Sequence, residues 1–438
     1  MTQVRHAVTD FVWMGDHFIP PDDLAREVDL LGAGDPVALA ARLWGQFALH
    51  QTAADEHVLL RDPLGVNKLF FAIDAHGGVV SSSFWIDLVR RGCPASAIWS
   101  VPSRHLLRVA PSQRRLQLIK YGSLPFSDDD QQAPTAENVG RIQRALEATF
   151  ARIRTAVAGR PLYVTLSGGL DSTTIAALAR RHLGELTAVT FALADGGDEP
   201  EDLRYARRVA ADLRVPLRVV RATADELIAH LDVALCCGQD WRDFNVHCAL
   251  VNAAIGSAIG ATEPRPVLLT GDVMNELMAD YAPVTYRGHE YYALPRIEPG
   301  RLRRFLVQGL DAGDREVGVF AHFGLDVLQP YALCADAYAR IPRACLDRPE
   351  AKQHLVRAVM GDAIPSYVYD RRKVRAQVGG ADEVRGTLAA LVDRGIDGAW
   401  LERRFCALFD VDPAQLRSAI RAGLYRFPTS YPSSVHST

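Results

Sequence analysis

The order of apolar and polar positions divides the chain into two parts of different character. Before residue 122, short apolar runs such as those at 47–49 and 69–71 alternate with turns that contain Asp, Gly and Pro, which is typical of a mostly β domain. Residues 123–137 are polar and acidic, contain Pro and show no apolar period, so they predict a linker. We therefore expect one domain at 1–122 and a second at 138–438.

After the linker, the apolar period becomes that of helices and buried strands. Apolar side chains recur every three or four residues from Ile142 to Val157, which predicts a helix that ends near Gly159. Continuous apolar strands then alternate with amphipathic helices, a pattern that indicates a parallel sheet covered on both faces. Ligands of such sheets bind beyond the carboxyl ends of the strands. The predicted strands are 162–166, 187–193, 216–220 and 266–270, the predicted helices lie near 172–182 and 202–213, and residues 290–380 are predicted to be mainly helical.

A glycine-rich loop follows the first of these strands. Strand 162–166 leads directly into Ser-Gly-Gly-Leu-Asp-Ser at 167–172, and a helix rich in Ala, Ile and Leu comes next. The two glycines permit a tight turn and a close approach of backbone to an anion, while the start of the helix offers free N–H groups and a partial positive charge. We therefore expect a nucleotide pyrophosphate here. Its predicted contacts are Leu166, Ser167, Gly168, Gly169, Leu170, Asp171, Ser172 and Thr173, together with Phe191 and Gly271.

Asp171 implies a metal ion beside that pyrophosphate. Its carboxylate would repel a bare phosphate, so its expected role is to hold a magnesium ion that bridges the phosphates of ATP. The alternative is an ordinary strand-to-helix turn in which Asp171 caps the helix. The loop is not a Walker motif, because no Gly-Lys-Ser or Gly-Lys-Thr follows the glycines. It resembles the PP-loop of ATP pyrophosphatases, and this resemblance implies cleavage of ATP between its α and β phosphates and transfer of AMP to a substrate oxygen.

Composition narrows the choice of partners. The 438 residues carry a net charge of -3, so no basic field attracts nucleic acid or an anionic membrane surface, and a small molecule or peptide is the expected substrate. The chain begins without the layout of a signal peptide and has no run of about 18 uncharged apolar residues, so we expect a cytoplasmic protein without a membrane partner. Seven cysteines with no Cys-x-x-Cys pair argue against a disulfide framework or a zinc site. The oligomeric state stays open, a homodimer included.

Later motifs resemble the asparagine synthetases among the PP-loop families. Residues 269–277, LTGDVMNEL, are similar to that family's second signature, Gly-Glu-Gly-x-Asp-Glu-Leu. Residues 322–330, HFGLDVLQP, are similar to its Gly-Leu-Glu-x-Arg-x-Pro segment. Residues 352–357 and the basic run 371–373 then follow in the order that the family shows.

The front part of the chain resembles the Ntn glutaminase domain of the same enzymes. This resemblance rests on residues 43–48, 61–71 and 81–83, and it implies an αββα sandwich ahead of a doubly wound, parallel-sheet PP-loop synthetase domain with a helical extension. A functional glutaminase of this kind begins with a cysteine nucleophile, whereas this chain begins with Met1 and Thr2. Removal of Met1 would make Thr2 a candidate threonine nucleophile; the alternative, which we favour, is a degenerate domain that serves as a scaffold. We therefore expect that glutamine is not used and that an amine comes from the substrate or from solution.

The same loss resembles the β-lactam and carbapenam synthetases and the lasso-peptide macrolactam synthetases, in which a tethered amine attacks an acyl-adenylate. In β-lactam synthetases a Tyr of the second signature pairs with a Glu, and the matching positions here hold Asp272 and Asp326. These aspartates either form a carboxylate pair that deprotonates the amine or are structural, and the sequence leaves both readings open. Asn275 occupies a metal-ligand position of the family, so the expected magnesium ligands are Asp171, Asn275 and, as a compensating acid, Glu276.

Lys373 is the remaining catalytic candidate. In the enzymes that this chain resembles, a late lysine neutralises charge on the acyl-adenylate transition state and the leaving phosphates; the alternative is that 371–373 is a solvated basic run. The expected function is an ATP- and magnesium-dependent synthetase of natural-product biosynthesis that joins a carboxylate to an amine, with ring closure preferred over intermolecular coupling. A catalytically weak nucleotide-binding protein is the alternative from a different class.

Overall fold

The structure is a computed structural model that describes most of the chain. The described residues are 8–195, 199–262, 264–280, 284–286, 289–291, 298–308, 310, 314–348, 350–371 and 386–414. Met1, Thr2 and Lys373 lie outside them, so what the sequence predicts for these three residues remains a prediction.

The front part, residues 8–122, consists mainly of antiparallel strands, as predicted. Its strands form three sheets, with the orders β2-β1-β3, β10-β9-β5-β4 and β7-β6-β8. The strands are β1 (Phe11–Met14), β2 (His17–Ile19), β3 (Leu43–Gln46), β4 (Ala48–Ala53), β5 (Glu56–Arg61), β6 (Phe70–Ile73), β7 (Val79–Ser82), β8 (Trp99–Ser100), β9 (His105–Ala110) and β10 (Arg115–Lys120). In the described residues of this part, the helical layers implied by the resemblance are limited to α1 (Leu24–Glu27), α2 (Pro36–Arg42) and α3 (Trp85–Arg90).

The largest of these sheets separates two apolar cores. Successive side chains of a strand point to opposite faces, and β9 shows this with Leu106 in one core and Leu107 in the other. Its neighbour β5 does the same, because Leu60 packs with Leu106 whereas Leu59 packs with Leu107. All four side chains are fully buried, so alternation along the strands is what stabilises this layer.

The helix α4 (Ala136–Ala156) begins within the last two residues of the predicted linker, 123–137. Thr135 caps it: its hydroxyl accepts a hydrogen bond from the backbone N–H of Asn138, while the Asn138 side chain accepts one from the N–H of Thr135. The predicted apolar stripe is confirmed, since Ile142 and Phe150 are fully buried. The helix ends three residues before the predicted Gly159, with Val157 as its C-terminal cap.

The second part of the chain contains the predicted parallel sheet. Its strands are β11 (Leu162–Thr165), β12 (Thr187–Leu193), β13 (Leu217–Ala222), β14 (Val267–Leu269), β15 (Val284–Tyr286), β16 (His289–Tyr291) and β17 (Asp326–Leu328). Five of them form one sheet of order β13-β12-β11-β14-β17, in which every neighbouring pair is parallel. The strands β15 and β16 form a separate antiparallel pair.

Helices pack around this sheet and extend beyond it. They are α5 (Leu170–Leu183), α6 (Glu201–Asp212), α7 (Ala224–Ile228), α8 (Leu231–Gly238), α9 (Asp243–Ile259), α10 (Met274–Met278), α11 (Pro299–Gln308), α12 (Val317–His322), α13 (Pro330–Leu333), α14 (Ala335–Ala339), α15 (Arg343–Leu346), α16 (Ala351–Met360), α17 (Ser366–Asp370), α18 (Gly386–Val392) and α19 (Gly398–Phe409). None of the helices in the described ranges has the length and apolar character needed to cross a membrane.

The strand order fixes where a ligand is expected to bind. From β11 the chain adds β12 and then β13 on one side of the sheet, whereas the later strands β14 and β17 lie on the other side. The order therefore reverses between β11 and β14, and the crevice beyond the carboxyl ends of strands at such a reversal is the usual ligand site of a parallel sheet. The glycine-rich loop follows β11 at this point.

The front part contacts the second part through side-chain hydrogen bonds to backbone. Trp44 donates its indole N–H to the carbonyl oxygen of Leu333, at 2.9 Å. Gln46 donates from Nε2 to the carbonyl oxygen of Val327 at 3.2 Å, and its Oε1 accepts the backbone N–H of Gln329 at 2.6 Å. Strand β3 therefore lies against β17 and the residues that follow it.

Candidate active site

The loop after β11 holds its shape through close packing and internal hydrogen bonds. Gly168 has φ +72°, and a Cβ at this position would lie 2.5 Å from the Cβ of Tyr205, so only glycine fits. Ser172 Oγ accepts the backbone N–H of Ser167 at 3.2 Å and lies 3.1 Å from Ser167 Oγ. Gly169 is the N-cap of α5 and makes no side-chain cap, so the first-turn N–H groups of this fourteen-residue helix remain available to an anion.

The structure rejects the reading of Asp171 as a helix cap. Asp171 lies within the first turn of α5, and its Oδ2 accepts a hydrogen bond from Lys352 Nζ at 2.8 Å. The same ammonium group lies 2.9 Å from Asn275 Oδ1 and 2.7 Å from Asp280 Oδ2. Burial alone would lower the pKa of Lys352, but the carboxylates of Asp171 and Asp280 outweigh burial and raise the pKa above its usual value. The lysine is therefore a buried cation shared by three oxygen ligands.

This convergence of oxygens fits a magnesium ion. Asp171, Asn275 and Asp280 present hard oxygen donors around one cation position, and Mg²⁺ is commonly bound by one or two carboxylates together with nucleotide phosphates. Asp171 Oδ1 is buried and has no hydrogen-bond partner among the residues that the structure describes, so it could accept a cation without losing another bond. Within the described residues, no group of three or more Asp, Glu, His or Cys side chains could hold a metal ion, so a magnesium site here would depend on the amide oxygen of Asn275 and on the nucleotide phosphates.

Glu276, predicted as a compensating metal ligand, lies near a different cation. Its Oε1 is 4.0 Å from Arg315 Nη2, whereas the Lys352 ammonium contacts Asn275 and Asp280. The acid that accompanies Asn275 at the cation position is therefore Asp280, five residues further along the chain, which lies outside the predicted set of ligands.

Arg371 attaches the start of the basic run to the nucleotide loop. Its side chain is buried, donates to the carbonyl oxygen of Ser167 at 2.9 Å and to Asp202 Oδ1 at 2.6 Å, and stacks over the ring of Tyr205. Burial raises the pKa of Asp202 to about 6, although Arg371 acts to lower it. Arg371 is thus a structural anchor and not a solvated residue; Lys373, two positions later, is outside the described residues.

Asp272 lies beside the nucleotide loop and is held by an arginine. A Cβ on the preceding Gly271 would lie 2.9 Å from the backbone of Asp171 and Ser172, so the two loops are in direct contact. Arg315 donates to both carboxylate oxygens of Asp272, at 2.6 and 3.3 Å. This bidentate pair fixes Asp272 at the carboxyl end of the sheet.

Glu316 is a second acid at this place, and it lies outside every motif of the sequence. Its Oε2 accepts hydrogen bonds from Thr270 Oγ1 at 2.6 Å and from Gln329 Nε2 at 3.0 Å. Burial raises the pKa of Glu316 to about 8, and the Asp272 carboxylate raises it as well. Arg315 and Glu316 come directly before α12, outside any motif, so only the folded arrangement brings them to the site.

The predicted carboxylate pair of Asp272 and Asp326 is not formed. Asp326 is the first residue of β17 and pairs in register with Val267, the first residue of β14, so it lies at the amino end of the sheet, whereas Asp272 follows β14 at the carboxyl end. Arg160 and Arg265 form ion pairs with the Asp326 carboxylate, and Thr9 Oγ1 donates to it at 2.6 Å. Its role in the fold is to join the front part to the sheet.

Three further residues that were predicted to contact the nucleotide are buried in the structure. Leu166 follows β11 and donates its backbone N–H to the carbonyl oxygen of Val189 at 2.8 Å. Phe191 is buried in β12. Thr173 is fully buried, and its hydroxyl has no hydrogen-bond partner in the described part of the chain.

A PP-type loop at the reversal point of a parallel sheet, with a helix start and a cation position beside it, is the arrangement of an α/β domain of the PP-loop class. Comparison with known proteins makes this specific, since residues 141–314 match the family described as asparagine synthase. The chain is therefore similar to asparagine synthetases over this segment, and it is also similar to a β-lactam synthase.

Two curated relatives illustrate that similarity. Carboxyethyl-arginine beta-lactam-synthase of Streptomyces clavuligerus is 34% identical over 138 residues, which are 32% of this chain and 25% of that protein. A putative glutamine-hydrolyzing asparagine synthetase of Mycobacterium tuberculosis (strain ATCC 25618 / H37Rv) is 26% identical over 326 residues, which are 64% of this chain and 48% of that protein. The matches thus span between a quarter and about half of the length of these relatives.

Two solved structures show a distant likeness. The NMN synthetase from Francisella tularensis aligns with a TM-score of 0.33 and 13% identity over 67% of this chain and 98% of that one. The NH3-dependent NAD synthetase from Campylobacter jejuni aligns with a TM-score of 0.24 and 19% identity over 37% of this chain and 72% of that one. Likenesses this low do not define the fold, which is defined by the strand order of this chain's own sheet.

Proposed function

We propose that this protein is an AMP-forming carbon–nitrogen ligase: it adenylates a substrate carboxylate, releases pyrophosphate and lets an amine displace AMP. The observation that carries the proposal is the loop at 167–172, which sits at the strand reversal with Asp171 turned toward a buried cation position. The proposal includes the division of the chain into a degenerate glutaminase-like domain at 1–122, a linker at 123–137 and the synthetase domain at 138–438.

In this proposal each group of the loop acts on the nucleotide phosphates. The N–H groups at the start of α5 bind phosphate oxygens, and the hydroxyls of Ser167 and Ser172 exchange their internal bonds for bonds to the nucleotide. Asp171, Asn275 and Asp280 would hold a magnesium ion, which when bound supplies positive charge to the leaving pyrophosphate. Lys352 contacts one oxygen of each of these residues in this structure, so a magnesium ion would bind beside the ammonium group, through oxygens such as Asp171 Oδ1, which has no partner among the described residues.

We also propose that glutamine is not the source of nitrogen. A glutaminase of this class needs a cysteine nucleophile, and the first cysteine of the chain, Cys93, comes after seven of the ten front strands and is buried. The nucleophile is then an amine of the substrate itself, and the product is a ring. Holding the amine next to the activated carbonyl contributes up to about 7 to 11 kcal/mol in ideal intramolecular cases, and the similarity to a β-lactam synthase favours this version.

The first test is the exchange of labelled pyrophosphate into ATP. The protein is incubated with magnesium, ATP and a panel of carboxylates that begins with aspartate and carboxyethyl-arginine, and exchange that depends on the acid supports adenylation. The product mass then decides between two versions: loss of one water from the acid indicates ring closure, whereas addition of a separate amine indicates intermolecular coupling. Exchange absent with every acid, together with nucleotide binding, would favour a nucleotide-binding protein without catalysis.

The second test concerns the nitrogen source. Glutamine should not accelerate product formation and should not be converted to glutamate, because residues 1–92 contain no cysteine that could attack its amide. The measurement is glutamate release during turnover with an acid that supports exchange. Glutamate formed in proportion to product would refute this part of the proposal.

A further inference from the structure

We propose that Arg371 is a positioning residue of the nucleotide site: it turns the peptide between Ser167 and Gly168 so that the N–H of Gly168 is offered to the pyrophosphate part of ATP. This inference rests on the proposed function and adds to it a residue that sets the affinity for phosphate through the loop. Arg371 is the first residue after α17 and contacts the loop across 204 positions of sequence.

The contact between Arg371 and the loop is the first support. Nη1 of Arg371 donates to the carbonyl oxygen of Ser167 at 2.9 Å, and no other group of the described residues donates to this oxygen. The C=O and N–H of a trans peptide point in opposite directions. The N–H of Gly168 therefore points away from the guanidinium group, and the arginine fixes that orientation.

The backbone donors of the loop are the second support. Ser167 and Gly169 use their backbone N–H groups inside the loop, on Ser172 Oγ and Ser167 Oγ. The N–H of Gly168 has no acceptor among the described residues. An N–H of this kind, next to the start of a helix, is a donor that an anion can use. The orientation that Arg371 imposes therefore decides whether the loop offers this donor to a phosphate.

The surroundings of Arg371 are the third support. Its side chain is 4% exposed, and two acids at the start of α6 accept its hydrogen bonds, Asp202 at 2.6 Å and Glu201 at 3.3 Å. The guanidinium group also lies over the ring of Tyr205, 4.3 Å from the centroid. A planar guanidinium group can bond to these acids and to the loop carbonyl at the same time, whereas an ammonium group cannot reproduce that geometry.

The experiment compares Arg371→Lys with the wild type, because lysine keeps a positive charge for the two acids but lacks the planar group. The dissociation constants of ATP and pyrophosphate, measured by calorimetry with magnesium, should rise by about 10- to 100-fold, the usual value of one hydrogen bond to a charged group. That of AMP, which lacks the pyrophosphate part, should stay within about twofold. In the exchange assay, KM for pyrophosphate should rise by the same factor while kcat stays within about threefold, because the donor binds phosphate before and during the reaction alike.

The matched control is Arg208→Lys. Arg208 is exposed and lies over the ring of Tyr367, 3.6 Å from the centroid, and the Tyr367 ring packs in turn against that of Tyr205. Arg208 is thus also stacked on a tyrosine of this cluster, but it does not contact the loop. Its substitution should leave the affinities for ATP, pyrophosphate and AMP unchanged.

A second measurement needs no variant. Ser167 and Gly168 form the only Ser-Gly dipeptide of the sequence, so serine labelled with ¹³C at the carbonyl and glycine labelled with ¹⁵N mark this one amide in a nuclear magnetic resonance spectrum. Pyrophosphate, added with magnesium, should shift the amide proton of Gly168 downfield, whereas AMP should leave it in place.

Three results would overturn the inference while leaving the proposed adenylation intact. They are a Gly168 amide that pyrophosphate does not shift, an Arg371→Lys protein that binds pyrophosphate as tightly as the wild type, and a parallel loss of AMP affinity, which would mean that Arg371 only maintains the fold. Absence of exchange in the wild type with every acid of the panel would instead overturn the proposed function.

Discussion

Replacing Asp326 with asparagine should destabilise the protein without changing its chemistry. The carboxylate is only 3% exposed and is shared by Arg160 and Arg265, with Thr9 as a further donor. Asparagine keeps an oxygen that can accept the bond from Thr9, but it removes the charge that compensates two guanidinium groups. The substitution therefore removes the electrostatic attraction between a buried carboxylate and its two arginines.

The expected loss of stability depends on how exposed Arg160 and Arg265 are. Removing one member of a buried ion pair costs about 3 to 5 kcal/mol, and we expect about 3 kcal/mol here, because Arg160 and Arg265 are 18% and 33% exposed and water can reach them. At about 2 °C per kcal/mol for a chain of this size, the melting temperature should fall by about 6 °C.

The matched control is the same substitution at an exposed pair. Asp370 is 72% exposed and contacts Arg357 at 2.7 Å. Exposed pairs contribute about 0 to 1 kcal/mol, so Asp370→Asn should lower the melting temperature by about 2 °C or less. Both variants are measured by calorimetry, and pyrophosphate exchange and amide formation are then assayed well below either transition. An Asp326→Asn protein of unchanged stability that has lost amide formation would refute the structural role and return Asp326 to the chemistry.

Two further substitutions test the site and the front part. Asp171→Asn should reduce pyrophosphate exchange by about 100-fold or more, because it removes the charge that the loop gives to the cation position; the circular dichroism spectrum should not change, and undiminished exchange would contradict the metal role. Burial raises the pKa of Asp10 to about 7, although hydrogen bonds from Ala48 and Asn67 lower it. The stability that this raised pKa provides is complete below about pH 4 and is lost as pH rises through 7, by at most about 4 kcal/mol. Chemical denaturation from pH 5 to 8 should therefore show falling stability in the wild type and a flatter profile in Asp10→Asn; equal slopes would contradict the assignment.

Local patterns in the sequence predicted the parts of the fold that depend on neighbouring residues. The strand at 162–166, the loop after it and the helix that follows lie within about twenty residues, so periodicity and glycine placement are sufficient to define them. The apolar stripe of α4 was predicted for the same reason. The parallel sheet also follows from the alternation of strands with helices.

The parts of the site that join distant segments could not be predicted in this way. Lys352 reaches Asp171 across 181 positions of sequence, and no local pattern reports such a contact. Glu316 stands just before a short helix, with nothing in its neighbours to mark it. The prediction paired Asp326 with Asp272 because a family motif gives the order of residues but not the end of a strand at which each residue lies. Asp326 is the first residue of the three-residue strand β17 and therefore lies at the amino end of the sheet.

The contact made by Gln46 gives the front part a structural role that does not depend on glutamine chemistry. Strand β17 is the outermost strand of the five-stranded sheet, so on its outer side the backbone groups of Val327 and Gln329 have no neighbouring strand, and the side-chain amide of Gln46 satisfies them. An open margin of this kind is a template for pairing with strands of other chains and so for aggregation. In the described residues, the front part thus covers this margin of the sheet, and this contact does not depend on whether the front part has a nucleophile.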